Sequence, residues 1–214
     1  MPDERREDAE MLTKVSGVVL AGGQSARFGR DKAVEQLGGT SLITHVITRL
    51  SQVATEVIVS VNDESRAEEL SLPRFADVVV DVRPDSGSLG GLFSGLQAAA
   101  EQWALVVGCD MPFLNRNLLR HMASLQGSGD AVVPMVDGRP EPMHAVYSKS
   151  CLPKMEQRLQ AGRFAIHEIL EELQVRYVFQ DELEGFDPGL HSFFNVNTPE
   201  DLQRAVALIE EGVV

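Results

Sequence analysis

An apolar stretch, Val15 to Leu20, breaks at once into Leu20-Ala21-Gly22-Gly23-Gln24-Ser25-Ala26-Arg27-Phe28-Gly29-Arg30-Asp31-Lys32. Those thirteen residues carry three glycines and three cations. A buried strand that opens into a Gly-rich basic loop restricts the chain to a narrow set of folds. In a parallel α/β sheet, such a loop presents backbone N–H groups to phosphates. Glycines let the backbone approach a ligand and take positive φ at little steric cost. Arg grips phosphate oxygens through a bidentate fork, and Lys acts as a point charge.

Spacing excludes the two better-known phosphate loops. A P-loop requires G-x-x-x-x-G-K-[ST] and a dinucleotide loop requires G-x-G-x-x-G. Here five residues separate Gly23 from Gly29, and Lys32 is followed by Ala33.

The 214 residues suffice for one sizeable α/β unit. The expected organisation is a charged, flexible extension over residues 1–13 and a single domain over 14–214. The start, MPDERREDAE, is too charged for the apolar segment of a signal peptide. No apolar run reaches the roughly 18–20 residues of a membrane span, so no membrane partner is expected and the expected location is cytoplasmic. A net charge of −13 argues against nucleic acid as a partner, because such binding relies on clustered cations. It leaves a nucleotide open, since Arg27, Arg30 and Lys32 concentrate positive charge in one loop. Cys109 and Cys151 belong to no C-x-x-C pair, and the five histidines show no metal-ligand spacing.

Strand and helix signals alternate. Strands are expected at Val15–Leu20, Glu56–Val61, Asp77–Asp81, Trp103–Val107, Asp130–Val136, Met143–Ser148 and Val175–Phe179. A helix after the cap Thr40-Ser41 places Leu42, Ile43, Val46, Ile47 and Leu50 on one face. Further helices are expected over Gly90–Glu101, Asn115–Leu125, Leu152–Leu159 and Arg163–Leu173. Thr198-Pro199-Glu200-Asp201 is a capping box with Pro at the first helical position, and it opens a last helix that buries Leu202, Ala205, Val206 and Ile209. The pattern predicts a three-layer α/β/α sandwich with a mixed, mainly parallel sheet and at least one antiparallel strand. In such a fold, ligands sit beyond the carboxyl ends of the strands.

Three further segments fall at such ends. Asp110, in Gly108-Cys109-Asp110-Met111-Pro112, follows a buried strand and suits Mg²⁺, which commonly takes one or two protein carboxylates plus substrate phosphates. The alternative reading is an Asp that shapes the turn before Pro112. Asp81 to Gly91 joins a strand to a helix start, either at the ligand crevice or as an ordinary connection. In Phe193-Phe194-Asn195-Val196-Asn197-Thr198-Pro199, the polar residues either cap the last helix or reach a metal or phosphate.

The first loop resembles L-A-G-G-x-S-x-R-M-G-x-D-K, the signature of the MobA-type molybdenum cofactor guanylyltransferases, with Phe28 where Met is usual. The segment from Phe193 is similar to that family's F-x-N-[VI]-N-T-P-E-[DE]-L, and Asp110 matches its metal-binding aspartate. Gly87-Ser88-Leu89-Gly90-Gly91 stands where relatives carry G-P-L-A-G, two changes that read as added flexibility. The resemblance implies a Rossmann-like nucleotidyltransferase fold and transfer of GMP from GTP to the phosphate of molybdenum-molybdopterin. It implies catalytic roles for Arg27, Lys32 and Asp110, with Asp110 on Mg²⁺ or, in its place, Mn²⁺. It implies substrate contacts at Leu20, Ala21, Gly22, Gly23, Ser25, Lys32, Ser60, Asn62, Asp81, Gly87, Asp110, Asn195 and Asn197. Ser60 aligns with an asparagine of relatives, and Asn62 is a substitute on the same strand face. Relatives carry His-Pro where this chain has Glu141-Pro142, with His144 close by. L-A-G-G is typical of guanylyltransferases and L-A-A-G of their cytidylyl relatives. Transient contact with proteins of cofactor synthesis or with molybdoenzymes is the expected partnership. Competing readings are a cytidylyltransferase on the same pterin, a sugar-phosphate nucleotidyltransferase, and a non-enzymatic carrier of the cofactor.

Overall fold

The computed structural model describes residues 14–22, 32–83 and 85–214. The extension expected over residues 1–13, together with Gly23, Ser25 and Arg27, lies outside the described residues. Seven strands form the body of the main sheet: β1 Ser16–Leu20, β2 Val57–Val61, β3 Ala76–Val80, β4 Trp103–Gly108, β5 Ala131–Val136, β6 His144–Ser148 and β7 Val175–Val178. Their order is β7-β5-β6-β4-β1-β2-β3. Along that path only β6 is antiparallel to its neighbours. A short strand, Arg139–Pro140, pairs back on β5 across the two-residue turn Asp137-Gly138. Both turn residues have positive φ (49° and 73°), as a type I′ hairpin requires.

Helices cover both faces: α1 Leu42–Leu50, α2 Glu64–Glu69, α3 Gly87–Ala98, α4 Arg116–Ser124, α5 Leu152–Gln160, α6 Ile166–Ile169, α7 Gln180–Glu184 and α8 Pro199–Glu210. Alternation along β4 decides which side each residue serves. Leu105 and Val107 join α1 and α4 in one core, whereas Ala104 and Val106 join α3 and α5 in the other. A smaller cluster of Leu37, Leu42, Phe113, Val196 and Ala205 docks α8 against a hairpin formed by Gln36–Leu37 and Thr40–Ser41. The three layers and mixed sheet are those expected from the sequence.

Helix α1 begins where the sequence places it: the Ser41 hydroxyl accepts from Thr44 N, and all five expected apolar residues are buried. Helix α3 starts three residues earlier than expected, at Gly87, whose φ of +60° suits glycine. Arg163–Leu173 is not one helix. It shrinks to α6 and a 3-10 turn over Leu170–Glu172, because Ala165 and Leu173 are both extended. The capping box of α8 is present, but its buried residue is Ala205. Val206 and Ile209 are exposed, and Leu202 is only partly buried, because α8 rests on the small third cluster alone.

Strand β1 lies at the centre and meets α3 closely. A Cβ on Gly95 would stand 2.4 Å from Val18 Cγ1. Val18 is β-branched and fully buried, so it has little freedom to yield. Gly95→Ala is therefore expected to destabilise the protein by about 1–3 kcal/mol through overpacking, read as a lower denaturation midpoint at unchanged m-value.

Candidate active site

The strand order reverses beside β1: β2 and β3 lie on one side, and the chain then crosses to β4 on the other. This is the position at which an open α/β sheet forms a crevice. Leu20 is in register with Gly108, and Cys109 N donates to Leu20 O at 3.2 Å. The loops after β1 and β4 thus leave the sheet side by side.

Lys32 and Asp110 meet in that crevice. Lys32 Nζ donates to Asp110 Oδ2 at 2.6 Å and to Asn197 Oδ1 at 2.9 Å. The Lys32 and Asp110 side chains are 19% and 8% exposed, so the pair is largely shielded from water. Val196 N donates to Asp110 O at 2.9 Å, which ties the Asn-rich segment to the β4 loop. The Asn195 amide turns back to Phe193 O at 3.1 Å. Thr198 serves as the cap of α8. Of the two candidate asparagines, Asn197 is the one that joins the Lys32–Asp110 pair.

On the other side of β1, Ser60 Oγ donates to Asp81 Oδ1 at 2.9 Å. Burial pushes the Asp81 carboxyl above its usual range, and hydrogen bonds from Ser60 and Ser94 oppose that shift. A cleft of about 270 Å³ connects the two halves, lined by Leu20, Gly22, Lys32, Ser60, Asp81, Gly87, Asp110 and their neighbours. Ala21 is fully buried beneath the cleft, and its amide donates to Ser60 O at 2.9 Å. Asn62 reaches Gly22: a Cβ there would stand 2.1 Å from Asn62 Oδ1.

Gly90 has a packing cause, not the flexibility the sequence suggests. A Cβ at Gly90 would stand 1.7 Å from Ser86 Oγ, and that hydroxyl is bonded to Arg83 O. Gly91 keeps the floor of the cleft open, with Ser60, Leu20 and Asp81 all within 3.4–3.7 Å of its absent Cβ.

Among the described residues no group of three or more His, Cys, Asp and Glu could hold a metal. The oxygen pair Asp110 Oδ2 and Asn197 Oδ1 nevertheless fits a hard cation, because both already coordinate the Lys32 ammonium. One carboxylate with substrate phosphates and water is an ordinary Mg²⁺ environment. Cys109 is buried, and burial raises its thiol to about 12, which makes it inert beside the site.

The comparisons with known proteins agree with this architecture. Residues 17–177 match the model of the MobA-like NTP transferase domain. The chain belongs to that family. A probable molybdenum cofactor guanylyltransferase of Pelotomaculum thermopropionicum is 36% identical, over 94% of this chain and 96% of its own. A molybdenum cofactor guanylyltransferase of Desulfosudis oleivorans is 34% identical, over 94% and 98%. The crystal structure of molybdopterin-guanine dinucleotide biosynthesis protein A from Archaeoglobus fulgidus superimposes with a TM-score of 0.81 at 32% identity, covering 92% of this chain and 100% of the other.

His144, which has no metal-ligand spacing in the sequence, stands at the start of β6. It is fully buried, its ring lies 4.5 Å from that of Phe193, and neither nitrogen has a hydrogen-bond partner among the described residues. Burial depresses its pKa to about 4. The Asp187 carboxylate pulls the other way, and so does the Ser192 backbone, which does not reach hydrogen-bond geometry. The folded state thus refuses a proton that the unfolded chain accepts near 6.5. Its contribution is fully present above that pH and is lost as pH falls from about 6.5 towards 4. The expected loss is on the order of 3 kcal/mol, and His144→Phe should flatten that part of a stability–pH curve measured by urea titration.

Proposed function

We propose that this protein transfers GMP from GTP to the terminal phosphate of molybdenum-molybdopterin, releasing pyrophosphate and forming the guanine dinucleotide cofactor. The observation that carries the reading is the Lys32–Asp110–Asn197 contact at the mouth of the β1–β4 crevice. It brings three family motifs together on the cleft. The guanylyltransferase names of relatives that align over nearly their whole length support the donor and the acceptor.

The chemistry asks little of acid–base groups. An acceptor phosphate is ionised at neutral pH. Its oxygen attacks the α-phosphorus, a new P–O bond forms, and the bond to the β-phosphate breaks with its electron pair leaving on pyrophosphate. Catalysis is then positioning and charge stabilisation. In this reading the Lys32 ammonium meets phosphate oxygens, and the N-terminus of α3 at Gly87 turns backbone N–H groups towards the cleft. Asp81, held by Ser60, accepts from a nucleoside N–H or O–H. Asp110, with Asn197, would hold Mg²⁺ or Mn²⁺, which when bound neutralises charge on the reacting phosphates. Arg27, Gly23 and Ser25 complete the phosphate loop by resemblance. An open groove of about 570 Å³ beside the Phe193–Asn197 segment, lined by His191, Phe193, Phe194 and Arg204 among others, is the proposed acceptor seat. No helix among the described residues is long and apolar enough to cross a membrane, in keeping with the proposed work in the cytoplasm alongside proteins of cofactor synthesis.

Lys32→Ala is expected to lower the rate of GTP-dependent pyrophosphate release about 10²–10³-fold, as when one preorganised donor is lost. Asp110→Ala is expected to abolish metal-dependent turnover. The assay runs with molybdenum-loaded molybdopterin, with GTP and CTP in parallel. Wild-type activity in purified Asp110→Ala would remove the metal assignment, and a preference for CTP would replace the donor.

A further inference from the structure

One pair of oxygens serves two kinds of cation. Asp110 Oδ2 and Asn197 Oδ1 are the atoms that fit a hard divalent ion, and the Lys32 ammonium holds both, at 2.6 and 2.9 Å. A metal bound by the same two atoms would need the place the ammonium takes. Charge sets the two apart as well, because a divalent ion against an ammonium meets like charge in a shielded site.

The oxygens are fixed and the ammonium is movable. Asp110 Oδ1 lies 2.6 Å from where a Cβ on Gly108 would stand, so the carboxylate rests on bare backbone with its other oxygen turned to Lys32. The Asp110 carbonyl accepts from Val196 N, and Asn197 N donates to the Asp201 carboxylate at 3.1 Å. Those bonds anchor the main chain on both sides of the pair. Lys32 reaches it from a short 3-10 turn, Lys32–Val34. Its four-carbon stem is flexible and its charge is a point, so it can be passed from one anion to another. Lys32 and Asp110 both line the 270 Å³ cleft, so turning from the carboxylate to a phosphate there requires no opening of the fold.

A carboxylate as shielded as that of Asp110 requires a counter-charge at all times. Two arrangements supply it. Before phosphates arrive, one ammonium neutralises one carboxylate. Once they arrive, their negative charges draw the ammonium away and leave the carboxylate to a metal.

We propose that Lys32 is a plug in the metal seat: in the protein without nucleotide its ammonium closes Asp110 and Asn197 to divalent ions, and it yields them when phosphates enter the cleft, so that metal and nucleotide bind together. The inference rests on the nucleotidyl-transfer reading and adds the order of events at that site. It gives Lys32 a second effect of opposite sign. Its removal weakens the hold on phosphates but opens the seat to metal.

The test follows Mn²⁺ by electron paramagnetic resonance with no nucleotide present. Lys32→Met is expected to bind Mn²⁺ about tenfold more tightly than the wild type, a shift within the usual range for coupled sites. Lys32→Arg keeps a cation at the pair and is expected to bind Mn²⁺ as weakly as the wild type. Adding Asp110→Asn to Lys32→Met is expected to abolish the gain, which assigns it to this pair. A second measurement needs no variant. The reactivity of Lys32 towards an amine-acylating reagent, read by mass spectrometry of the wild-type protein, is expected to rise as Mn²⁺ is raised to saturation, because the ion releases the ammonium. Equal Mn²⁺ affinity in Lys32→Met and the wild type, or Lys32 reactivity that Mn²⁺ leaves unchanged, would overturn the plug while leaving nucleotidyl transfer standing. Full-rate pyrophosphate release by the wild type in EDTA would remove the metal reading and this inference with it.

Discussion

Everything at the carboxyl edge of the sheet is organised around one ammonium. Lys32 lies 78 residues from Asp110 and 165 from Asn197 in sequence, yet its Nζ holds both. Asp110, whose side chain is 8% exposed, would on its own be an uncompensated charge in a shielded crevice, which is costly. Together they close three segments over the mouth of β1 and β4. The Asp110 backbone supports the same closure, since its carbonyl accepts from Val196 N. The oxygens that bind this ammonium are also of the type a hard divalent cation takes.

Glycines shape the cleft mainly by what they omit. Gly87 is there for its φ of +60° at the start of α3. Gly22 and Gly108 are there because side chains fill the space a Cβ would claim: Asn62 Oδ1 lies 2.1 Å from the absent Cβ of Gly22, and Asp110 Oδ1 2.6 Å from that of Gly108. The Asp110 carboxylate and the Asn62 carboxamide are thus seated against bare backbone.

Much of this was legible before any coordinates. Fully buried strands such as β4 read as continuous apolar runs, and α1 carries both its cap and its apolar stripe. The failures share a physical cause, which is that tertiary contacts overrode local pattern. The charged helix α2 buries no residue and gives no periodic signal; it is set instead by Asp63, whose carboxylate caps Arg66 N. The Arg163–Leu173 helix is cut back to residues 166–172, the stretch from which Glu168 and Glu172 both pair with Arg158. In α8 the periodicity of Val206 and Ile209 names the wrong face, because the helix rests on its core through Ala205, with Leu202 and Leu208 partly buried beside it. The motif residues were readable as a set, but the direct bond between Lys32 and Asn197 was not, since no spacing in the chain encodes it. Gly90 misled for a related reason: its role is to make room for Ser86, and the sequence alone shows only a residue without a side chain.

The one antiparallel strand gives the edge its asymmetry. Strands β1 to β4 all send loops out at the carboxyl edge, and residues of those loops line the cleft. Strand β6 runs the other way, so it enters at this edge with Met143 in the cleft and His144 beneath Phe193. The next strand, β5, again ends here, with Val136 and Asp137 on the wall of the larger groove. Reversing β6 therefore removes one outgoing loop from the row and leaves the cleft and the groove as two separate recesses on one edge. Between them stands the segment from Phe193 to Asn197, fixed at one end by the buried His144 ring and at the other by Lys32. A transferase that must hold two phosphorylated molecules in line needs such a division, and this sheet makes it with the direction of a single strand.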